Sequence, residues 1–234
     1  MKQEKIDYRG LRWNNLGSER FRHLKLLIFW PVFELLFIFV ERGWTNRSYA
    51  VMHCLLDDKI PFCEFFLIPY LFWFVYIIGM HLYTLLYEKD AFVKMMRFII
   101  LTYSVTILIY FLFPTKQELR PAVFARSNFL TACVSGFYAF DTNTNVCPSI
   151  HVIGSLAVLF TAWNSRRFHT PLWRFVFTAA AVLICASTVF LKQHSVLDIL
   201  AALPICLAGY LLVFRVRAPV RLRRPEYCKK ETGR

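Results

Sequence analysis

Six long apolar runs, nearly free of charge and separated by polar turns, decide what this chain can fold into. They are Leu26–Val40, Phe65–Leu86, Phe98–Phe113, Ile150–Trp163, Arg174–Leu191 and Val196–Phe214. In a bilayer every backbone polar group must be satisfied within the element, so such runs cross as helices. Only 18% of the 234 residues are charged against 57% hydrophobic, too little charge to coat a soluble domain of this length. The expectation is an all-α integral membrane protein with six transmembrane helices in one bundle over residues 26–214. A basic segment, residues 1–25, precedes it, and a basic tail, residues 215–234, follows. The fourth run has 14 residues, about 21 Å as a helix. It should therefore be packed within the bundle with its start recessed.

The formal net charge of +13 is concentrated at the ends, with seven Lys or Arg in residues 1–25 and eight in Arg215–Arg234. Six crossings put both termini on one side, and the basic ends make that side cytoplasmic. No recognition fold stands beside the basic tail, so the reading excludes nucleic acid as a partner. The charge instead sets topology and touches the anionic phospholipid bilayer. Tyr8, Leu11, Trp13, Leu16 and Phe21 interleave with the N-terminal cations. That pattern fits an interfacial amphipathic segment or a loosely ordered tail, and it lacks the apolar core of a signal peptide. The seven cysteines contain no CxxC, which argues against a zinc or redox motif. Cys133–Cys147 and Cys54–Cys63 are the disulfides an oxidising outer side would permit. Glu34, a carboxylate at membrane depth, calls for a structural partner, and His81 reads as a hydrogen-bonded structural residue. Pro114–Ser149 reads as a long loop without regular structure, a length that usually means function.

The chemistry gathers at Ser187–Asp198. His194 and Asp198 are four apart, so on a helix they share a face one turn apart. A carboxylate there can hold one imidazole nitrogen and leave the other free. His151 stands at the mouth of the fourth run, after Cys147-Pro148-Ser149-Ile150. The charge-derived topology places Lys116, Arg120, Ser149, His151, Lys192, His194 and Asp198 together on the extracytoplasmic face. Phosphoryl transfer needs these parts: a nucleophile, cations for the equatorial oxygens and a proton for the leaving group. His194 is the candidate nucleophile and His151 the acid/base. Arg120, Lys116 and Lys192 are candidate phosphate cations, and Ser149 is a donor at a helix head. The plainer alternative is a structural His194–Asp198 pair with His151 as a cap. Metal binding by two His and one Asp is opposed by Lys192 and Arg120, so no metal or cofactor is expected.

These residues resemble the type 2 phosphatidic acid phosphatase superfamily of six-span lipid phosphatases, over about residues 60–215. The family's third block, Ser-Arg, five residues, His, three residues, Asp, is matched by Ser187, His194 and Asp198, with Thr188 in place of Arg. The second block, Pro-Ser-Gly-His, appears as Pro148-Ser149-Ile150-His151. The first, Lys, six residues, Arg-Pro, keeps Arg120-Pro121, with Phe113 in the Lys position and Lys116 nearby. The resemblance implies a metal-independent phosphohistidine mechanism and adds Ser187 to the phosphate-binding set. It implies hydrolysis of a lipid phosphate or diphosphate, such as phosphatidic acid, phosphatidylglycerol phosphate or a polyprenyl diphosphate, in a bacterial plasma membrane. Ile150 and the Phe113-Pro114-Thr115 run look more like the inositol phosphorylceramide and sphingomyelin synthase branch, which transfers the headgroup to a lipid alcohol. The missing Arg at Thr188 favours a third reading, a non-catalytic lipid-binding or transport protein.

Overall fold

A computed structural model describes residues 5–43 and 47–215. The basic tail from 216 onward and the first four residues of the basic N-terminal segment lie outside the described residues. Five helical units are long and apolar enough to cross a membrane: Arg22–Gly43, Glu64–Tyr87, Lys89–Leu112, Pro171–Phe190 and Val196–Arg215. The first is composite, a 3₁₀ entry at Arg22–Ile28, helix α1 (Phe29–Ile38) and a π turn at Phe39–Gly43. A five-residue helix, α2 (Leu55–Lys59), follows, and then α3 (Leu67–Tyr87) and α4 (Lys89–Leu112). Much of the outward surface of these helices is apolar, with Leu35, Ile68, Val75, Leu108, Val182 and Leu207 all exposed. Such a surface suits lipid.

The sixth expected span is different in kind. Helix α6 (Ile150–Asn164) has 15 residues and falls short of the crossing length that the other five reach. It packs against α3, α4, α7 (Pro171–Phe190) and α8 (Val196–Tyr210), with Ile153, Ala157, Val158 and Ala162 fully buried. A short run surrounded by other helices is apolar all round because its neighbours, not lipid, cover it. Gly154 permits this: a Cβ there would lie 2.8 Å from the Tyr103 hydroxyl and 2.9 Å from Trp73. Gly209 of α8 likewise allows close approach to Phe98 and Thr102 of α4.

The long connection after α4 differs from its expected lack of structure. It contains helix α5 (Phe129–Phe140). Asn128 caps it by accepting from Thr131 N at 3.0 Å, while Thr131 Oγ1 accepts from Asn128 N at 2.9 Å, a reciprocal cap. Leu67, Tyr70, Val134 and Leu191 form a second small core that joins α5 to α3 and the end of α7. A two-residue strand β1 (Ala50–Val51) pairs in parallel with β2 (Thr115–Lys116).

At the other end of the bundle the N-terminal segment folds onto α3. Ile6 N donates to Leu86 O at 2.7 Å and the Tyr8 hydroxyl to Leu85 O at 2.6 Å. Glu34, expected to need a partner, is exposed and makes no hydrogen bond or ion pair among the described residues. His81 is buried with Nδ1 on Ile77 O at 2.8 Å. All six described cysteines are free, so neither disulfide is formed.

Candidate active site

The site grows from the turn between α7 and α8. Thr188 O accepts from both Gln193 N (2.9 Å) and His194 N (3.1 Å), which folds residues 191–194 back over the last turn of α7. Ser195 then starts α8: its hydroxyl oxygen accepts from Leu197 N, and Asp198 Oδ2 accepts from Ser195 N at 3.0 Å. The same Asp198 oxygen accepts from His194 Nδ1 at 3.0 Å. A contact to a carboxylate oxygen suits Nδ1 as the donor and leaves Nε2 as the ring nitrogen turned away from Asp198. The pair is almost sealed, at 8% exposure for the His194 side chain and 0% for Asp198. Capping the helix and orienting the imidazole are done by one oxygen.

The second histidine arrives on α6. Ser149 N donates to Asp198 O at 3.1 Å and fastens the start of α6 to the start of α8. The His151 ring then lies 5.7 Å from that of His194, edge to face. Tyr70 and Trp73 of α3 hold His151 between them, each with its ring centroid 4.6 Å away. A cavity of about 40 Å³ opens beside the pair, lined among others by Glu41, Asp141, Asn145, Gln193, His151 and His194. A larger cleft of about 830 Å³ lies at the opposite end of the bundle, around Lys94, Arg166 and Arg167.

The expected phosphate cations are occupied by protein. Arg120 donates through Nη1 to Tyr138 O and Asp141 O and through Nη2 to Thr142 O and Gln193 Oε1, and it stacks 4.6 Å over Tyr138. Lys116 Nζ sits 2.5 Å from Glu118. Lys192 Nζ donates to the carbonyls of Asp57 and Ile60. Ser187 is buried and returns its hydroxyl to Ile184 O at 2.6 Å. Ser149, also buried, has a hydroxyl with no partner among the described residues.

Among the described residues no lysine or arginine lines the cavity, whereas two carboxylates do. Burial pushes the Asp141 carboxyl up to about 6, against the opposing pull of Arg120. Glu41 accepts from the Thr142 hydroxyl at 2.6 Å. Sequence reasoning missed Glu41, Asp141, Gln193, Tyr70 and Trp73 as parts of the site. None is within a block that spacing alone marks, except Gln193, which precedes His194.

The PAP2 superfamily model matches residues 94–221, more than half of the chain. It takes in Arg120-Pro121, Pro148 to His151 and Ser187 to Asp198. The chain belongs to the PAP2 superfamily. No curated protein and no solved structure matches it. Membership in PAP2 points to phosphatase-type chemistry on lipid phosphate, and with the five apolar helices it points to a membrane protein. The PAP2 match begins inside α4, so Glu41, Asp57, Tyr70 and Trp73 lie outside it.

Proposed function

We propose that this PAP2 protein hydrolyses a lipid phosphate ester without a metal, through a phosphohistidine on His194. The carrying observation is the 3.0 Å Nδ1–Asp198 hydrogen bond, with the His151 ring 5.7 Å from that of His194. His194 Nε2 attacks phosphorus, and the bond from phosphorus to the lipid oxygen breaks as His151 protonates that oxygen. His151 then takes a proton from water as the water oxygen attacks the phosphohistidine, which frees His194 and inorganic phosphate. The unpartnered Ser149 hydroxyl and Gln193 Nε2, with backbone N–H groups at the head of α6, supply donors to the phosphoryl oxygens. Arg120 acts through its tie to Gln193.

The reading includes six crossings, cytoplasmic termini and an extracytoplasmic site in a bacterial plasma membrane. Lys94, Arg166 and Arg167 at the end opposite the histidines support that orientation. The test is phosphate release by purified protein in detergent with EDTA, from phosphatidic acid, phosphatidylglycerol phosphate and a polyprenyl diphosphate, beside His194→Ala. Release that survives EDTA and is lost in the variant is expected. Release that persists in His194→Ala would sink the reading.

One observation favours transfer of a phosphoryl headgroup to a lipid alcohol instead. Among the described residues the cavity presents Glu41 and Asp141 and no cation, a setting that suits a singly charged phosphodiester better than a dianion. Release that appears only as headgroup transfer to an added diacylglycerol or ceramide would select this reading.

A further inference from the structure

Helix α2 is a five-residue turn with an exposed apolar side, yet one of its two aspartates is sealed: Leu55 is 79% exposed and Asp57 only 2%. The Asp57 carboxylate reaches the other side of the site. Oδ2 accepts from the Ser195 hydroxyl at 2.6 Å and from Cys54 N at 2.8 Å, and Oδ1 accepts from Val196 N at 2.8 Å. Val196 is the first residue of α8, so Asp57 satisfies an orphan donor of that helix and places negative charge at its positive end. Burial disfavours the ionised carboxyl, but the bonds from Ser195, Val196 and Cys54 outweigh it and hold its pKa below the usual value.

The same segment grips the turn from the other side. Lys192 Nζ donates to Asp57 O and Ile60 O, and Cys63 N donates to Phe190 O at 3.0 Å. Lys192 has φ 52°, a left-handed conformation that is unfavourable for a residue with a Cβ. Such a conformation persists only where surrounding bonds impose it. His194 therefore sits between two anchored points, residues 190–192 and residues 195–196, both tied to residues 57–63.

We infer that Asp57 is a positioning residue for His194: its carboxylate holds Ser195 and Val196 from outside α8, and so fixes the start of the helix on which Asp198 orients the imidazole. The inference rests on His194 being the nucleophile, but its physical core does not depend on turnover. Among the described residues the charged or titratable groups facing His194 are Asp198 of α8, His151 of α6, Tyr110 of α4, and Asp141 and Glu41 across the cavity. Asp57 acts on it through Ser195 and Val196.

The test compares Asp57→Asn with Asp58→Asn, whose carboxylate is 60% exposed and paired with His53. Two readouts are taken on full-length protein in detergent: turnover, and the titration of the His194 imidazole by ¹⁵N NMR, assigned with His194→Ala. Asp57→Asn should lower kcat about 10- to 100-fold with KM within about twofold, as expected for a misplaced nucleophile. Removing a negative charge should also move the His194 titration to lower pH, while Asp58→Asn changes neither readout. If Asp57→Asn yields no folded protein, Ser195→Ala, which removes the hydroxyl's bonds to Asp57 and Leu197 N but keeps the Asp57 charge, should lower kcat in smaller measure. A His194 titration unmoved in folded Asp57→Asn, or a kcat within twofold of the parent in either folded variant, overturns the inference. If no lipid is turned over at all, the function proposed above fails while the NMR titration still decides the role of Asp57.

Discussion

Gln193 Oε1 accepts a 2.6 Å hydrogen bond from Arg120 Nη2, one residue before the proposed nucleophile. Because the amide is planar, holding its oxygen leaves Nε2 as the free end, and that nitrogen has no partner beside the cavity. Under the proposed function, the arginine of the first block would act on the phosphate through this neutral amide.

This arrangement separates the two parts of the tie by mutation. Arg120→Lys replaces a planar fork holding four acceptors with a point charge, and kcat/KM should fall about 10- to 100-fold. Gln193→Glu keeps a partner for Arg120 but removes the donor and adds a negative charge next to the phosphate. Its melting temperature should match the parent while its activity falls at least as far as that of Gln193→Met. Parent-like activity in Gln193→Glu would exclude a phosphate contact at Nε2.

The two histidines should fail at different steps. With a phosphodonor lipid and rapid acid-free quench, His194→Ala should form no phosphoenzyme. His151→Ala should accumulate phosphohistidine when the leaving group needs little protonation, since its loss slows attack by water. Asp198→Asn should lower kcat by about 10²–10⁴ by favouring the wrong tautomer. Phosphoenzyme that appears at equal levels in all three variants would remove His194 as the attacking residue.

Asp141 gives a stability prediction with a definite sign. Its folded carboxyl is raised to about 6 by burial, against ~3.9 in an unfolded chain. Between those values the folded state holds the extra proton, so Asp141 favours folding as pH falls through about 6 and disfavours it at neutral pH. Asp141→Asn should therefore stabilise the protein at pH 7.5, by about 1–2 kcal/mol once solvent access to the side chain is discounted. The gain should vanish below about pH 4, as read by thermal unfolding across pH.

Glycines on the helices offer a packing test with its own control. Gly154→Ala puts a methyl 2.8 Å from the Tyr103 hydroxyl and 2.9 Å from Trp73, and overpacking of that kind costs about 1–3 kcal/mol. Trp73 also flanks His151 at 4.6 Å, so turnover should drop beyond the loss of folded protein. Gly79→Ala meets nothing within 4 Å and should be neutral or stabilising by up to about 1 kcal/mol. Equal thermal shifts for the two variants would rule out the close approach at Gly154.

Much of the fold was legible because helices crossing lipid are specified locally, by long apolar runs and basic flanks. α5 was not: its apolar run is short, and its start depends on an Asn128–Thr131 cap that reads as loop chemistry in sequence. Charge type likewise did not reveal charge use. Lys192 looked like a phosphate cation because it lies two residues from His194, but its side chain turns to the carbonyls of Asp57 and Ile60.

By itself, then, the sequence determined the helical membrane class, the His194–Asp198 pairing and the candidacy of His151. The first follows from apolar length and the third from its block. The His194–Asp198 spacing reads as one helical turn, but His194 stands in the turn two residues before α8 and meets Asp198 across the helix cap. Tertiary structure alone decided which helices enclose α6, that Glu41 and Asp141 face the histidines, and that Asp57 caps α8 from 138 residues before Ser195. Those contacts join segments distant along the chain, and their partners are chosen by packing of the whole bundle, for which no local periodicity exists.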